Sequence, residues 1–383
     1  MSVTAATGFT ASGVAAGIKG SGAADLALVV NNGPHRAAAG VFTANRVKAA
    51  PVTWSQQVTD GGRLSAVVLN SGGANACTGP GGLQDTRATA ERAAELLGRE
   101  PGEIAVASTG LIGVRLPMDE LLTGLEQAAG ALSAHGGEKA AIAIKTTDSV
   151  HKTAVVEGDG WTVGGMAKGA GMLAPGLATM LVVLTTDAVV EGPELDKALR
   201  AATRTTFDRV DSDGCMSTND TVLLLASGAS GRTPDYDAFA EAVTGVCADL
   251  AHQLIGDAEG ASKDIRIEVV GAASEEDAVE VGRSIARNNL LKCAIHGEDP
   301  NWGRVLSAIG TTSAVFEPDE LNVAINGVWV CRRGSVGEDR ELVDMRYREV
   351  RITADLAAGP ESAVIWTNDL TADYVHENSA YSS

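Results

Sequence analysis

The sequence predicts an α/β fold, because short apolar segments typical of β-strands alternate along the chain with amphipathic segments typical of helices. The strand candidates are apolar and are bounded by Gly, Asn or Asp. The helix candidates carry apolar residues at a period of 3.6. With 383 residues, of which 45% are hydrophobic, the chain can form two or three domain-sized units or one large α/β body.

Nine segments satisfy the strand criterion, and no internal repeat or low-complexity linker separates them. In chain order these predicted strands are Ala66–Asn70, Ile104–Ala107, Ala154–Glu157, Met180–Thr185, Val222–Ala226, Ile265–Val270, Val323–Ile325, Val350–Thr353 and Ala363–Trp366.

Three segments satisfy the helix criterion. Ala90–Leu97 has a stripe of small apolar residues, and Gly98 is expected to end it because glycine readily adopts the left-handed conformation. Met118–Ala129 begins after Pro117, and Tyr236–Leu254 carries the most regular stripe. We expect each stripe to pack into the core.

Charge and composition exclude several classes of function. The net charge is −19 and no Lys/Arg run stands out, which disfavours nucleic-acid binding. No apolar run reaches the roughly 20 residues that span a bilayer, and the N-terminal segment does not resemble a secretory signal. The five cysteines lack metal-ligand spacing, so we expect reduced thiols and no metal site. A cytoplasmic protein is the expectation.

The stretch Gly164–Asp187 combines a glycine-rich turn, a proline and a strongly apolar strand. Thr179 stands where the loop enters this strand, directly after the small residue Ala178. Cleavage between the two would give Thr179 a free α-amine with a pKa of about 7.7–8.0, which can act as the base for its own hydroxyl. An ordinary strand start is the other interpretation, and this stretch alone does not separate the two.

Ten further patterns follow one another from end to end of the chain. They are GVFTANRVKAAPV (Gly40–Val52), NSGGANACTG (Asn70–Gly79), ASTGLIG (Ala107–Gly113), KTTD (Lys145–Asp148), AKGAGMLAP (Ala167–Pro175), ATMLVVLTTDA (Ala178–Ala188), DSDGCMSTNDT (Asp211–Thr221), GDAEGASK (Gly256–Lys263), HGEDPNWGR (His296–Arg304) and ENSAYSS (Glu377–Ser383). Together and in this order they resemble the ornithine acetyltransferase (glutamate N-acetyltransferase) family.

This resemblance implies a fold and a reaction. The fold is a layered αββα sandwich of the self-processing N-terminal-nucleophile kind, with a smaller C-terminal α/β lobe. Self-cleavage would produce an α chain, residues 1–178, and a β chain, residues 179–383, which assemble as α2β2. The reaction moves acetyl from N-acetylornithine to glutamate in arginine biosynthesis, without a cofactor. Some members of the family also use acetyl-CoA as the acetyl donor.

The resemblance also implies the catalytic residues. Thr179 is both the cleavage site, with Ala178 before it, and the carrier of the acetyl group. Thr109 and Gly110 match the oxyanion positions, where a hydroxyl and a backbone N–H stabilise the charge on a tetrahedral intermediate. An ordinary turn is the competing interpretation of these two residues.

The remaining implied residues bind substrate. Lys168 would hold the substrate α-carboxylate from the glycine-rich turn, with Thr147 as a hydroxyl contact. Glu259 would bind the second amine of ornithine. Asn378 and Ser383 would close the pocket from a C-terminal tail that folds back. The alternatives are a solvated surface side chain for Lys168 and a turn or helix cap for Thr147. For Glu259 the alternative is an acidic helix end, and for the two tail residues it is a disordered terminus.

Other features are interpreted as structural, or differ from the family pattern. His296 and the residues Asn301, Trp302 and Arg304 are expected to stabilise turns. Gly73 stands where we expect asparagine, and Gly214–Met216 also differs from the pattern, so the conformations of these two loops are less well defined by the resemblance.

Two rival functions remain open at this stage. One is a self-processed aminopeptidase or amidase, in which water is the acceptor and free acetate would be released without glutamate. The other is a metabolite-binding protein that is never cleaved. A related enzyme of an antibiotic pathway would also carry nearly the same residues.

Overall fold

The computed structural model describes residues 2–174 and 180–380, and the chain divides into two compact units. Unit 1 consists of the chain up to Asp208 together with Cys215–Asp257. Within the described residues, unit 2 consists of Arg209–Gly214 and of residues 258–380.

Unit 1 contains two β-sheets. Its strands are β1 (Phe9–Val14), β2 (Leu26–Asn31), β3 (Ala37–Phe42), β4 (Ala66–Gly73), β5 (Ile104–Leu111), β6 (Lys152–Glu157), β7 (Thr162–Lys168), β8 (Leu181–Thr186) and β9 (Thr221–Ala226). The first sheet has the order β1-β2-β4-β5 and the second has the order β3-β9-β8-β7-β6. Within them, β4 and β5 are parallel, and so are β8 and β9.

Helices cover these sheets. The helices of unit 1 are α1 (Ala50–Thr59), α2 (Gly79–Leu97), α3 (Met118–Gly130), α4 (Gly137–Ala143), α5 (Gly192–Thr205) and α6 (Tyr236–Gly256). As predicted, α2 ends at Gly98, whose φ of 62° is left-handed, and α3 begins after Pro117. The side chain of Asp235 caps α6 by accepting backbone N–H groups of its first turn.

One apolar core joins the two sheets of unit 1. It contains Leu28 and Leu69 from the first sheet together with Met166, Val183 and Leu223 from the second. Helices α2 and α3 pack on the first sheet, and α5 and α6 pack on the second. The predicted αββα layering is therefore confirmed.

Unit 2 is a smaller α/β unit with its own core. Its strands are β10 (Asp264–Ala272), β11 (Asn322–Ile325), β12 (Val328–Arg332), β13 (Ser335–Val336), β14 (Glu349–Asp355) and β15 (Glu361–Asn368), in the order β13-β12-β11-β14-β10-β15. Its helices are α7 (Glu275–Ala286), α8 (Asn289–His296), α9 (Trp302–Ile309) and α10 (Ala372–Ala380). The predicted smaller C-terminal lobe is confirmed. In the described part of the chain, no helix is both long and apolar enough to cross a membrane.

The prediction of a turn at the start of the glycine-rich stretch is wrong. Gly164 and Gly165 lie inside strand β7, paired with β6 and β8. A Cβ atom on Gly165 would lie 2.7 Å from Leu184 and 3.0 Å from Val246. Glycine is therefore present so that α6 and the neighbouring strand can approach closely, not because the chain turns.

Candidate active site

The ends of the parallel strands β4 and β5 approach each other closely at Gly110. This residue has a φ of +125°, and a Cβ atom on it would lie 2.6 Å from the carbonyl carbon of Gly72. Thr109, directly before it, is buried. Only glycine fits at position 110, so the backbone is held rigidly where the resemblance predicts oxyanion donors.

A buried polar network ties these strand ends to the segment that precedes β9. The Asn219 side chain donates to the carbonyl oxygens of Ala74, at 2.6 Å, and Ser108, at 2.8 Å. The Ser108 hydroxyl donates to the side-chain oxygen of Asn70, and the Asn70 amide donates to the Gly73 carbonyl. Because every bond is buried, breaking one would leave polar groups without water, and the network therefore stabilises one loop arrangement.

The two departures from the family pattern have local explanations in the backbone. A Cβ atom on Gly73 would lie 2.7 Å from Leu116, so the glycine makes room for that side chain. Gly214 has a φ of +71°, a left-handed conformation that glycine adopts at little cost.

Lys168 lies at the end of β7 and is buried, with 2% of its surface exposed. Its ammonium donates to the Thr109 hydroxyl over an Nζ–Oγ1 distance of 3.3 Å. Two residues predicted to act together, 59 positions apart in the sequence, are thus in contact. The buried charge also places a positive potential beside the predicted oxyanion position.

Asp148 is the main anionic neighbour of this lysine. Its carboxylate accepts from Lys152 Nζ at 2.7 Å, from the Gly169 N–H at 2.6 Å and from the Thr146 N–H at 3.0 Å. Burial alone would raise the pKa of Asp148, but the charges of Lys168 and Lys152 and the hydrogen bonds outweigh burial and lower it to about 2. The side chain is therefore ionised throughout the neutral range.

Thr147 lies directly before Asp148 and is half-buried. Because Asp148 also binds the backbone of Gly169, the residue after Lys168, one carboxylate organises the neighbourhoods of both predicted carboxylate-binding residues. Thr109, Gly110, Thr147 and Lys168 all belong to unit 1.

The predicted nucleophile Thr179 and its partner in cleavage, Ala178, lie outside the described residues, which end at Ala174 and resume at Met180. Directly after Met180 the chain forms strand β8, which lies beside the predicted site. Leu181 is the cross-strand neighbour of Lys168 in β7.

Met180 is buried, and both of its backbone polar groups are hydrogen-bonded. Its N–H donates to Asp220 Oδ1 over 3.0 Å, and its carbonyl accepts from the Thr221 N–H over 3.1 Å. Burial raises the pKa of Asp220 well above its ordinary value, although the Met180 N–H and the charge of Lys168 act in the opposite direction.

The predicted residues Glu259 and Asn378 are in contact within unit 2. The Asn378 amide donates to Glu259 Oε2 at 3.0 Å and to the Tyr374 carbonyl at 3.0 Å. The Thr371 hydroxyl donates to the Gly260 carbonyl at 2.6 Å and accepts from the Tyr374 N–H at 2.9 Å. The tail thus forms helix α10 against the turn that carries Glu259. Ser383 lies outside the described residues.

The sequence patterns assigned no role to Asp148, Asn219 or Asp220, although all three lie in segments that resemble the family. Each is a buried polar residue close to a strand end. One signal in the sequence was the position of Asp220 two residues before the predicted apolar strand Val222–Ala226, where a buried carboxylate must be paired or neutralised.

The residues interpreted as structural make local contacts. His296 Nδ1 lies 3.0 Å from Asp369 Oδ2 at the end of α8. The Asn301 side chain caps α9 by accepting from the Arg304 N–H. Both contacts agree with roles in stabilising turns.

No disulfide bond joins cysteines in the described part of the chain. Cys77, Cys215 and Cys293 are exposed, whereas Cys247 and Cys331 are buried. Within residues 2–174 and 180–380, no cluster of three or more His, Cys, Asp or Glu side chains is arranged to hold a metal ion.

Comparison with known proteins identifies the family. The ArgJ family matches residues 10–383. The chain is 81% identical over its full length, and that of the relative, to the arginine biosynthesis bifunctional protein ArgJ of Streptomyces avermitilis. It is 65% identical, again over both full lengths, to the protein of the same name from Thermobifida fusca.

Among solved structures, a chain of the ornithine acetyltransferase of Mycobacterium tuberculosis, complexed with ornithine, is 60% identical. The match covers 47% of the present chain and 96% of that chain, with a TM-score of 0.45.

The chain belongs to the ArgJ family. The prediction that it is an enzyme of the ornithine acetyltransferase family is confirmed, and its reaction class is acetyl transfer in arginine biosynthesis.

Proposed function

We propose that the enzyme transfers acetyl from N-acetylornithine to glutamate in two half-reactions through an ester on Thr179. In the first, the Thr179 hydroxyl attacks the acetyl carbonyl carbon while the α-amine of Thr179 takes the hydroxyl proton. The amide C–N bond then breaks, and the nitrogen leaves with that proton as the amine of ornithine. In the second, the glutamate amine attacks the ester carbonyl, the threonine oxygen leaves and regains a proton, and N-acetylglutamate is released.

The nucleophile requires processing before it can work. The hydroxyl of Thr179 would attack the carbonyl carbon of Ala178, and the peptide C–N bond would break, which frees the α-amine and leaves the α chain as an ester on the hydroxyl. Water would then hydrolyse this ester, which releases the α chain with a terminal carboxylate and restores the hydroxyl. The products would be an α chain of residues 1–178 and a β chain of residues 179–383, held together as α2β2. Acetyl-CoA is the proposed alternative donor for a second activity, in line with the word bifunctional in the names of the relatives.

The contact between Lys168 and Thr109 is the observation that carries this proposal. It joins a buried cation to a hydroxyl on a strand end that admits only glycine at the next position. Met180 is the first described residue after Thr179, and the next residue, Leu181, pairs with Lys168. These positions support a nucleophile close to Thr109 and Gly110, the two proposed oxyanion donors. One oxyanion donor typically contributes about 2.7–4 kcal/mol to the transition state.

The substrate contacts follow from charge. Both N-acetylornithine and glutamate carry an α-carboxylate, for which Lys168 and the Thr147 hydroxyl are the proposed partners. N-acetylornithine also keeps a free side-chain amine, for which Glu259 is the proposed partner. The Asn378 amide donates to the Glu259 carboxylate, and Ser383 is proposed as a further ligand of the substrate.

Intact-mass measurement of the purified wild type and of Thr179→Ala tests the processing step. The wild type should give two chains of about 18 and 21 kDa, scaled from 39.1 kDa by 178 and 205 of the 383 residues. Thr179→Ala should give a single chain. Thr186→Ala, which removes a buried threonine at the last residue of β8, is the control and should be cleaved normally. Identical two-chain patterns for Thr179→Ala and wild type would remove Thr179 from the mechanism.

Product analysis separates the rival functions. Ornithine release that depends on glutamate, with N-acetylglutamate formed in equal amount, supports the transferase. Free acetate released without glutamate would instead indicate a hydrolase. A single uncleaved chain that binds ornithine without turnover would indicate a binding protein.

A further inference from the structure

The residue that follows the predicted nucleophile is held by two hydrogen bonds at the entrance to strand β8. The Met180 N–H donates to Asp220, and its carbonyl accepts from Thr221. That N–H belongs to the peptide group whose carbonyl is contributed by Thr179. Because a peptide group is planar, an acceptor that holds this N–H also limits the orientations open to the peptide bond between the two residues.

Asp220 lies in the protein interior, where its carboxyl group accepts the Met180 N–H. It is fully buried, and its second oxygen, Oδ2, has no partner that satisfies hydrogen-bond geometry within the described residues. On one side, the Asn219 side chain fixes the backbone to β4 and β5. On the other, the Thr43 N–H donates to the Asp220 carbonyl at 3.0 Å. The carboxyl group therefore has a fixed backbone on which to hold Met180.

Resting on the proposed function, we propose that Asp220 is a positioning residue: by accepting the Met180 N–H it orients Thr179 for attack, both in self-cleavage and in acetyl transfer. Small displacements of a nucleophile are costly, since an error of about 1 Å can reduce a rate by roughly a hundredfold. The contact requires an acceptor oxygen but no negative charge. Burial raises the pKa of Asp220, which is consistent with an acceptor that works in its neutral form.

Two substitutions of Asp220 distinguish the effect of losing the hydrogen-bond acceptor from the effect of losing the ionisable group. Asp220→Asn keeps a carbonyl oxygen for the Met180 N–H, and its processing and acetyl-enzyme formation should stay within about threefold of wild type. Asp220→Ala removes the acceptor and should slow both steps at least about tenfold. Ornithine affinity, measured by calorimetry, should be unchanged in Asp220→Ala, because the proposed ligands of ornithine remain in place.

Asp187→Ala is the matched control. Asp187 follows the other end of β8, is buried, and accepts the N–H groups of Thr7 and Thr162, each at 2.8 Å. Its loss should lower the melting temperature as much as Asp220→Ala does, yet leave processing at the wild-type rate. If Asp220→Ala does not fold, Asp220→Ser replaces it, since the shorter side chain cannot span the same distance to the amide.

Three results would overturn the positioning role while leaving the proposed function intact, provided the wild type is cleaved before Thr179. They are processing of Asp220→Ala at the wild-type rate, equal slowing of Asp220→Asn and Asp220→Ala, and loss of folded protein in both Asp220→Ala and Asp220→Ser. A wild type that is not cleaved at that bond would instead contradict the proposed function itself.

Discussion

Replacement of Lys168 by methionine isolates the charge at the predicted carboxylate-binding position. Methionine retains most of the aliphatic stem, so the buried position is not left with a large cavity. The lost group is an ammonium in contact with the Thr109 hydroxyl. Self-cleavage should be preserved, because the Lys168 side chain takes no part in the proposed attack on Ala178.

The expected effect on binding is large because the ammonium is almost fully buried. Removing one partner of a buried, hydrogen-bonded charge pair costs about 2–5 kcal/mol, or roughly 30-fold or more in affinity. Asp148 would lose one of its two nearby cations, and its pKa would rise toward its ordinary value. It would remain ionised at neutral pH, because Lys152 is still 2.7 Å away. The main effect of Lys168→Met should therefore be weaker substrate binding.

Steady-state kinetics with each substrate varied in turn measure this effect. The apparent KM for both N-acetylornithine and glutamate should rise by about 30-fold or more, because both carry the α-carboxylate. Lys145→Met is the control, since Lys145 is half-buried nearby and donates to the Ser149 carbonyl at 3.2 Å. Unchanged KM values for both substrates in a cleaved, folded Lys168→Met enzyme would refute the carboxylate role.

Two further predictions concern the carboxylates. Asp148, whose pKa is lowered from 3.8 to about 2, should contribute about 2 kcal/mol to the free energy of unfolding above pH 4 and lose it as the pH falls through 2. Urea unfolding should therefore show Asp148→Asn less stable than wild type at pH 7 but nearly equal at pH 2, and a constant difference would contradict this. Glu259→Gln should raise KM about tenfold for N-acetylornithine and leave that for glutamate unchanged, because only the former carries the second amine; equal effects on both would argue against the assignment.

The fold class and many elements could be predicted from local patterns. All nine predicted strands lie within or largely overlap observed strands, because apolar runs bounded by turn residues need burial in a sheet. The strands β2, β12 and β13 were not predicted, and neither were β1, β3 and β7. Their segments FTASGV, AAAGVF and TVGGMAK are rich in small residues and become strands through pairing with neighbours distant in sequence. The segment of β2, LALVVN, met the apolar criterion and could have been predicted.

Candidate residues for the site could be named from the sequence, but their geometry could not be predicted. The resemblance pointed to Lys168 and Thr109, yet their contact depends on how two sheets pack, which no local pattern encodes. The same holds for Asp220, which is held by a network reaching both sheets and looks like an ordinary loop aspartate in the sequence. Local sequence rules therefore identify candidates, and tertiary packing decides which of them meet.

The central claim is that acetyl resides on Thr179 between the two half-reactions. Incubation of the enzyme with N-acetylornithine in the absence of glutamate, followed by acid quenching and peptide mapping by mass spectrometry, tests it directly. We predict one acetyl group on the N-terminal residue of the second chain, lost when glutamate is added and replaced by N-acetylglutamate in solution. Turnover at the normal rate with no acetyl on that residue, or with acetyl on any other side chain, would contradict the mechanism.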